Sequence, residues 1–464
     1  MTGTTVASAL PSPGVIGAAL VGALVLIGLL ALLMRRRPDA FPLLAIFALP
    51  FRLPISTDGR TVNLLIPLYL VVAAGTLVHL IPRRLNRGGS EPRSPITLEW
   101  LLLGAVVLYV LQGTYSTDHT KAAENVAFFY VPFGLLFMLL RDVCWTRELI
   151  LECLGVAVML AVVFAGVGFI EYYRKTLFLN PKVVAADQYG NYFRVNSLFF
   201  DPSIYGRFLA MVMIGVTTVV LWSRRRRETL LGAGVLAWLL AGLITSFSQS
   251  SIAALLLGLA VLAAYRWDVR ATVYVTSALV AIALVVVLLA PASLHFGLKG
   301  TGGSTSNATS GRTKLIDGGL ELFADRPLYG YGSGSFETEY KRHGDATAAN
   351  ATSASHTIPI TIAAEQGVIG LAVYVALLIA AFAVLFRGAG RSPPRIAIAA
   401  CFAALVLHTW TYADFLEDPI TWTLLGIGVA LARAERVHED KDAAGEHSPK
   451  RPRVTMVSHS LKSA

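Results

Sequence analysis

His356 is the residue whose type and position most favour chemistry. It follows Ser355 and precedes an apolar stretch that begins near Thr357. An imidazole with a pKa near about 6.5 can accept a proton at neutral pH. At the mouth of a membrane helix, it would meet the headgroup of a lipid-linked substrate. A helix-capping or interfacial histidine would have the same position, so both interpretations stay open. His343 is the competing histidine in the same polar segment.

Two arginines are candidates for binding phosphate. Arg312 lies near the start of GRTKLIDGGLELF, whose apolar residues have helical spacing. Arg207 lies in LFFDPSIYGRFLAM, one to two turns inside an apolar stretch. A guanidinium group binds phosphate through two parallel hydrogen bonds and keeps its charge. Arg312 could equally be an interfacial arginine whose charge stays in water, and Asp201 could be a purely structural partner of Arg207.

Polar and aromatic side chains near these arginines could contact a glycan or a phosphate. The turn SFSQSS places Gln249 and Ser250 between two apolar stretches, where they could bind substrate or satisfy helix ends. Tyr331, in the glycine-rich sequence RPLYGYGSGSF, could stack on a sugar or anchor at the interface. Glu365 is the acidic residue deepest in an apolar stretch, and either substrate binding or a pair with a nearby arginine would explain it.

The composition is that of a membrane protein. Of 464 residues, 55% are hydrophobic and only 15% are charged, and the mean hydropathy is +0.62. The net charge of +10 comes from short basic runs between apolar stretches, which is typical of membrane topology and not of nucleic-acid binding. The cysteines show no disulfide or metal-site spacing, and the sequence has no P-loop. We therefore expect no metal, no cofactor and no nucleic-acid partner.

The apolar stretches predict an all-α fold, a polytopic transmembrane bundle of twelve or thirteen helices with a large extracytoplasmic loop before the last three. A helix needs roughly 20 apolar residues to cross a bilayer. The second stretch is short and contains prolines, so we predict a broken or re-entrant helix there. The predicted spans are 14–34, 39–52, 61–82, 97–113, 123–140, 148–172, 205–222, 229–247, 250–266, 271–291, 357–386, 396–414 and 419–433.

The distribution of arginine and lysine predicts the orientation. Every short basic loop falls on one side when the amino terminus is placed outside. This predicts a multi-pass protein of the plasma membrane with a cytoplasmic carboxyl terminus and two long outer loops, the second at 291–355. We divide the chain into amino-terminal helices (1–244), a core region that includes this loop (245–386), carboxyl-terminal helices (387–434) and a disordered cytoplasmic tail (435–464).

A combination of motifs resembles the O-antigen ligase and O-antigen polymerase superfamily. Arg312 precedes a short helix, Pro-x-x-Gly-x-Gly follows at 327–332, Ser-His stands at 355–356, and Ala-Glu-x-Gly-x-x-Gly stands at 364–370. The resemblance covers about residues 245–385. The combined motif is fairly specific for the superfamily, but it does not separate a ligase from a polymerase.

The resemblance implies a membrane glycosyltransferase that takes a glycan from undecaprenyl pyrophosphate on the outer side of the membrane, without a nucleotide sugar or a metal. It implies that His356 is the base that removes the proton of an acceptor hydroxyl, and that Arg312 holds the pyrophosphate leaving group. The implied partners are the lipid-linked glycan donor, membrane lipid, and an acceptor that could be a glycan, a lipid or a protein.

The chain departs from the family pattern in one turn. Family members often carry Ser-Arg-Gly where this chain has Ser248-Gln249-Ser250, so one arginine is missing. We hypothesise that Arg207, at the end of the adjacent helix, supplies the missing positive charge.

Three functions stay open at this point. The leading one is a ligase that transfers a lipid-linked glycan to an acceptor, and the second is a polymerase that joins lipid-linked repeat units. The third is a transporter or flippase of lipid-linked sugars. A transporter usually needs ionisable residues near the middle of the membrane, and the predicted spans contain few.

Overall fold

The computed structural model describes residues 13–57, 60–81, 96–179, 193–267, 269–270, 312–343, 357–412 and 414–446. Within these ranges the prediction of an all-α bundle is confirmed, apart from one two-stranded hairpin. The predicted span 271–291 and the end of the predicted tail lie outside the described residues.

Fifteen α-helices are present in the described part of the chain. They are α1 (Pro13–Arg36), α2 (Ala40–Ala48), α3 (Ile66–Gly75), α4 (Thr97–Gly113), α5 (His119–Asn125), α6 (Val131–Leu140), α7 (Arg147–Arg174), α8 (Pro202–Trp222), α9 (Arg226–Thr245), α10 (Gln249–Arg266), α11 (Arg312–Asp325), α12 (Phe336–His343), α13 (Ile358–Phe386), α14 (Pro393–Trp410) and α15 (Pro419–Glu446). A π-helical turn, Val126–Tyr130, joins α5 to α6. The hairpin strands β1 (Leu53–Thr57) and β2 (Arg60–Leu64) pair antiparallel, with Leu53 opposite Leu64.

Among the described residues, 8 helical stretches are long and apolar enough to cross a membrane. These are α1, α5 with α6, α7, α8, α9, α10, α13 and α14, and α3 and α4 are shorter apolar helices. Each coincides with a predicted span to within a few residues, and α4 has the predicted bounds. The chain is therefore a multi-pass membrane protein.

Three predicted boundaries differ from the structure. The second predicted span is a helix of only 9 residues, α2, and the hairpin follows it. The predicted span 61–82 begins later, at Ile66, because residues up to Leu64 pair within the hairpin. At the other end of the chain, α15 continues to Glu446, so the predicted tail begins inside a helix.

Helix α8 lies at the centre of the bundle. In its apolar stretch 72% is buried, against 6% in that of α1. It packs against α7, α9, α10 and α14. Asp201 caps its first turn by accepting a hydrogen bond from the Ser203 N–H at 2.6 Å, and Pro202 occupies a position where a helix tolerates proline. Because most of this helix is buried, its polar side chains lie in the interior of the bundle.

The two ends of the bundle differ in chemistry. One end, which we call the loop end, contains the connections 114–118, 246–248, 326–335 and 411–418. The other, which we call the basic end, contains the connections 141–146, 223–225 and 387–392, each with one or two arginines. Cys144 is exposed in the first of these basic connections, whereas Cys153 and Cys401 are buried in helices.

Two glycine-containing segments at the loop end, residues 327–335 and 364–368, are hydrogen-bonded to each other. We call them the glycine clasp. Helix α13 is kinked at Gly367, which has a φ of 66°. The Gly332 N–H donates to the Glu365 carbonyl at 2.8 Å, and the Val368 N–H donates to the Pro327 carbonyl at 2.8 Å. A Cβ atom at Gly330 would overlap the Glu365 backbone. The glycines are therefore needed for close backbone approach.

Alanine at either central clasp glycine is expected to destabilise the fold. Gly330 and Gly367 both have positive φ, and in both a Cβ would meet backbone atoms across the clasp. Strained backbone of this kind costs of the order of 1–3 kcal/mol, before the steric overlap is added. Gly234→Ala is the matched control, because no atom lies within 4 Å of its Cβ position in α9, and helical Gly→Ala is neutral or stabilising. The measurement is thermal unfolding in detergent. Equal melting temperatures for the three variants would contradict the stabilising role of the clasp.

Candidate active site

Arg207 is the most deeply buried charge at the loop end. Its side chain is 0% exposed, and Nη2 lies 2.5 Å from Asp418 Oδ2, whose residue is 1% exposed. The guanidinium Nε and Nη1 atoms find no hydrogen-bond acceptor within the described ranges. A buried guanidinium has five N–H donors, and leaving several without acceptors is costly. The Nε and Nη1 groups of Arg207 are therefore positioned to donate hydrogen bonds to an anionic oxygen.

Asp201, which we considered as the partner of Arg207, has other contacts. Besides capping α8, it is hydrogen-bonded to the Tyr412 side chain. Burial, followed by the negative charges of Asp201 and Asp414, raises the pKa of Tyr412 well above its ordinary value. The Tyr412 hydroxyl is therefore a neutral donor beside the Arg207–Asp418 pair.

The turn SFSQSS (residues 246–251), which we call the serine turn, lies directly against the start of α8. A Cβ at Gly206 would stand 2.7 Å from Ser251 Oγ, so the two helices are in close contact at the residue before Arg207. Ser248 caps α10, and its Oγ lies 2.8 Å from Ser251 Oγ. Ser250 is buried while Gln249 is exposed in the first turn of α10. The serine turn thus packs against the start of α8 at the residue before Arg207.

Sequence reasoning missed His408, a histidine within an apolar stretch. It is buried near the end of α14, with Nε2 3.2 Å from Ser251 Oγ and 3.4 Å from Ser250 Oγ. Both distances link α14 to the serine turn. A histidine within an otherwise apolar span was the available signal, because such a residue needs a polar partner.

The connection between α14 and α15 brings three acidic residues to the same end. Asp418 pairs with Arg207, and Glu417 Oε1 accepts a hydrogen bond from Asn125 Nδ2 at 2.9 Å. The same amide donates to the Tyr109 hydroxyl at 2.7 Å. Burial, and then the charge of Asp414, raises the pKa of Glu417 above its ordinary value. No set of three or more His, Cys, Asp or Glu side chains among the described residues could hold a metal ion.

Tyr331 belongs to the glycine clasp, and its N–H donates to the Ala364 carbonyl at 3.2 Å. Its hydroxyl donates to the Asp325 carboxylate and lies 3.2 Å from His343 Nε2. Burial, and then the hydrogen bond to Asp325, raises the pKa of Tyr331 to about 12. The Arg326 guanidinium carbon stands 4.3 Å from the ring centroid. The ring is buried against α11, α12 and α13, and His343 is half exposed beside it.

Glu365 has a position inside the clasp. Its carboxylate accepts hydrogen bonds from the Gly334 N–H at 2.8 Å and from the Phe336 N–H at 3.1 Å. The residue is 7% exposed. These contacts replace the arginine partner that we considered from the sequence, and they hold the glycine-rich segment against α13.

The two remaining candidates lie at helix starts. Arg312 is the first residue of α11, and its side chain is outside the described atoms. Helix α11 packs against α12 and against the first turns of α13. His356 is outside the described residues, but the next residue, Thr357, donates from its Oγ1 to the Trp410 carbonyl at 3.2 Å. Trp410 ends α14, two residues after His408.

The comparisons with known proteins agree with the motifs. Residues 234–375 match the family model described as O-antigen ligase. This segment contains the serine turn, α11, the whole glycine clasp and the first part of α13, and it leaves out Arg207 and Asp418. No curated protein matches the chain. Through this segment the chain is similar to the O-antigen ligase family.

Proposed function

We propose that this protein is a ligase-type glycosyltransferase that transfers a glycan from undecaprenyl pyrophosphate to an acceptor hydroxyl. The reaction takes place at the loop end, on the outer side of the plasma membrane, without a metal or a nucleotide sugar. The family match supports an enzyme of this superfamily. The donor, the acceptor class and the side of the membrane are part of the proposal.

The buried Arg207 is the observation that carries the proposal. Its pair with Asp418 leaves Nε and Nη1 without acceptors in the described part of the chain. A pyrophosphate leaving group gains negative charge as the glycosidic bond breaks, and donors aimed at developing charge in a dry site stabilise a transition state strongly. Arg207, with Arg312 at the start of α11, supplies that stabilisation in our proposal.

The base in this proposal is His356. Attack on the anomeric carbon needs an acceptor hydroxyl that loses its proton, and an imidazole is suited to take it near neutral pH. Thr357, the neighbour of His356, is hydrogen-bonded to the end of α14, and α14 also carries His408 to the serine turn. The residue next to the base candidate is therefore bonded to α14, and α14 contacts the serine turn beside Arg207.

The assignment of the loop end to the outer side rests on charge. Arginines concentrate at the basic end, in the connections 141–146, 223–225 and 387–392, and such residues favour the cytoplasmic side. Lipid-linked glycans assembled for export are presented on the opposite side. The candidate residues at the loop end would then meet the donor headgroup at the membrane surface.

Transfer by the purified full chain tests the proposal. The protein in nanodiscs is given undecaprenyl-pyrophosphate glycan and a set of acceptors, with a chelator and no nucleotide. We expect one glycan to be moved to a non-glycan acceptor, with release of undecaprenyl pyrophosphate. Lengthening of the lipid-linked glycan would instead identify a polymerase, and movement of the donor between leaflets without any transfer would identify a flippase.

A further inference from the structure

The basic end contains a cavity that the proposed glycan transfer does not use. It measures about 210 Å³ and lies where α13 ends and where α14 and α15 pass each other. This volume is far above the roughly 10–15 Å³ that a single water requires. Its lining consists of Arg387, Gly388, Arg391, Arg395, Ala432, Glu435 and Arg436. Four arginines and one carboxylate therefore surround one space.

Arg395 forms an ion pair with Glu435, the one carboxylate among the residues named for this lining. Its Nη1 binds Glu435, and its Nη2 donates to the carbonyls of Val384 at 3.1 Å and Arg387 at 2.7 Å. These carbonyls lie at the carboxyl end of α13, where carbonyl groups have no partner within the helix. Arg395 is buried and fixes α13 to α15, so its role is structural and it neutralises Glu435.

Two arginines of the lining are not paired with its carboxylate. With Arg395 bound to Glu435, Arg387 and Arg436 remain, and neither forms an ion pair with a side chain that the structure describes. Like charges held around a shared cavity repel each other unless an anion enters. The preference of arginine for cytoplasmic loops explains why arginines occur here. It does not explain why arginines from separate segments surround one cavity.

The surroundings indicate the depth of a lipid headgroup. The Tyr265 ring of α10 lies beside this connection, with its hydroxyl 3.4 Å from the Phe386 carbonyl. The exposed Trp267 follows at the end of α10, and tyrosine and tryptophan are enriched at membrane interfaces. Ile379, which is 66% exposed on α13, lies about 12 Å along the helix from Arg387 by helical rise. An acyl chain could follow that apolar surface.

We propose that this cavity binds the phosphate group of an anionic phospholipid, held by Arg387 and Arg436 while the acyl chains lie along α13. Guanidinium groups bind phosphate oxygens through paired hydrogen bonds, and basic pockets between membrane helices are suited to lipid headgroups. The site is independent of the glycan reaction and lies at the opposite end of the bundle.

Lipid binding to the full chain in zwitterionic detergent, followed by native mass spectrometry, tests this site. Phosphatidylglycerol is compared with phosphatidylcholine and with inorganic phosphate. The wild type is expected to retain phosphatidylglycerol preferentially. The double variant Arg387→Gln with Arg436→Gln is expected to lose about fivefold in affinity for each arginine removed. Both residues are exposed, so the variant should fold, and Arg387→Lys with Arg436→Lys should keep most of the binding.

The matched control is Arg226→Gln with Arg227→Gln, which removes the same charge from exposed positions in the first turn of α9. This control should bind phosphatidylglycerol as the wild type does. Equal losses in both double variants would reduce the effect to general surface charge and overturn the site. Equal binding of the two lipids would also overturn it, and saturation by inorganic phosphate with no lipid preference would reassign the cavity to a soluble anion.

Discussion

His356→Ala is expected to abolish glycan transfer while the protein still folds and binds its donor. General-base catalysis by a positioned side chain contributes about 10²–10⁴-fold, so the loss should appear in the rate of transfer more than in donor affinity. The measurement is single-turnover transfer by the variant in nanodiscs, with donor binding followed separately.

His343→Ala is the control for this variant. His343 belongs to the same polar segment, but in the structure it is engaged by Tyr331 and by the Glu339 carbonyl, and it is half exposed. Its loss should leave transfer near the wild-type rate. Transfer that persisted without His356 and disappeared without His343 would move the base to the Tyr331 region and contradict our assignment.

Arg207→Met is expected to abolish transfer and also to destabilise the protein. Removing one partner of a buried ion pair costs about 3–5 kcal/mol, because the other charge stays buried without compensation. Here Asp418, which is 1% exposed, would be left unpaired. Thermal unfolding and transfer are measured on the same preparation, and both should fall.

A second substitution separates stability from function at this pair. In the double variant Arg207→Met with Asp418→Asn, no unpaired charge remains, and asparagine can still accept the hydrogen bond that the Ile420 N–H gives to Asp418 at 2.8 Å. Replacing both partners is often nearly neutral for stability. We expect the melting temperature to recover and transfer to stay absent. An active double variant, or an active Arg207→Ala beside an inactive Arg312→Ala, would show that Arg207 does not replace the missing family arginine.

The membrane helices could be predicted because hydrophobic length is a local property. Residues 97–113 are bounded by polar and glycine residues and form α4 with the same bounds. Where local and non-local effects compete, the prediction was less accurate. The stretch 61–82 is apolar enough for one span, yet its first residues pair with 53–57 in a hairpin, and pairing between segments is not visible in hydropathy.

The candidate site depends on contacts that the sequence does not encode locally. Arg207 was identified because a charge inside an apolar helix needs an explanation, but its partner is Asp418, more than two hundred residues later, and not the nearby Asp201. The nearer residue was already engaged as a helix cap. Glu365 was likewise found by its depth, while its two backbone partners in the glycine-rich segment became visible only in the fold.

The distribution of cysteines has a practical consequence. Cys144 is exposed at the basic end, and the other two cysteines are buried. A maleimide that cannot cross a bilayer therefore has one accessible thiol on the native chain, and that thiol reports the side on which the basic end lies. Labelling of intact cells would put the basic end outside. Labelling only after the membrane is opened would put it in the cytoplasm and leave the loop end facing outward.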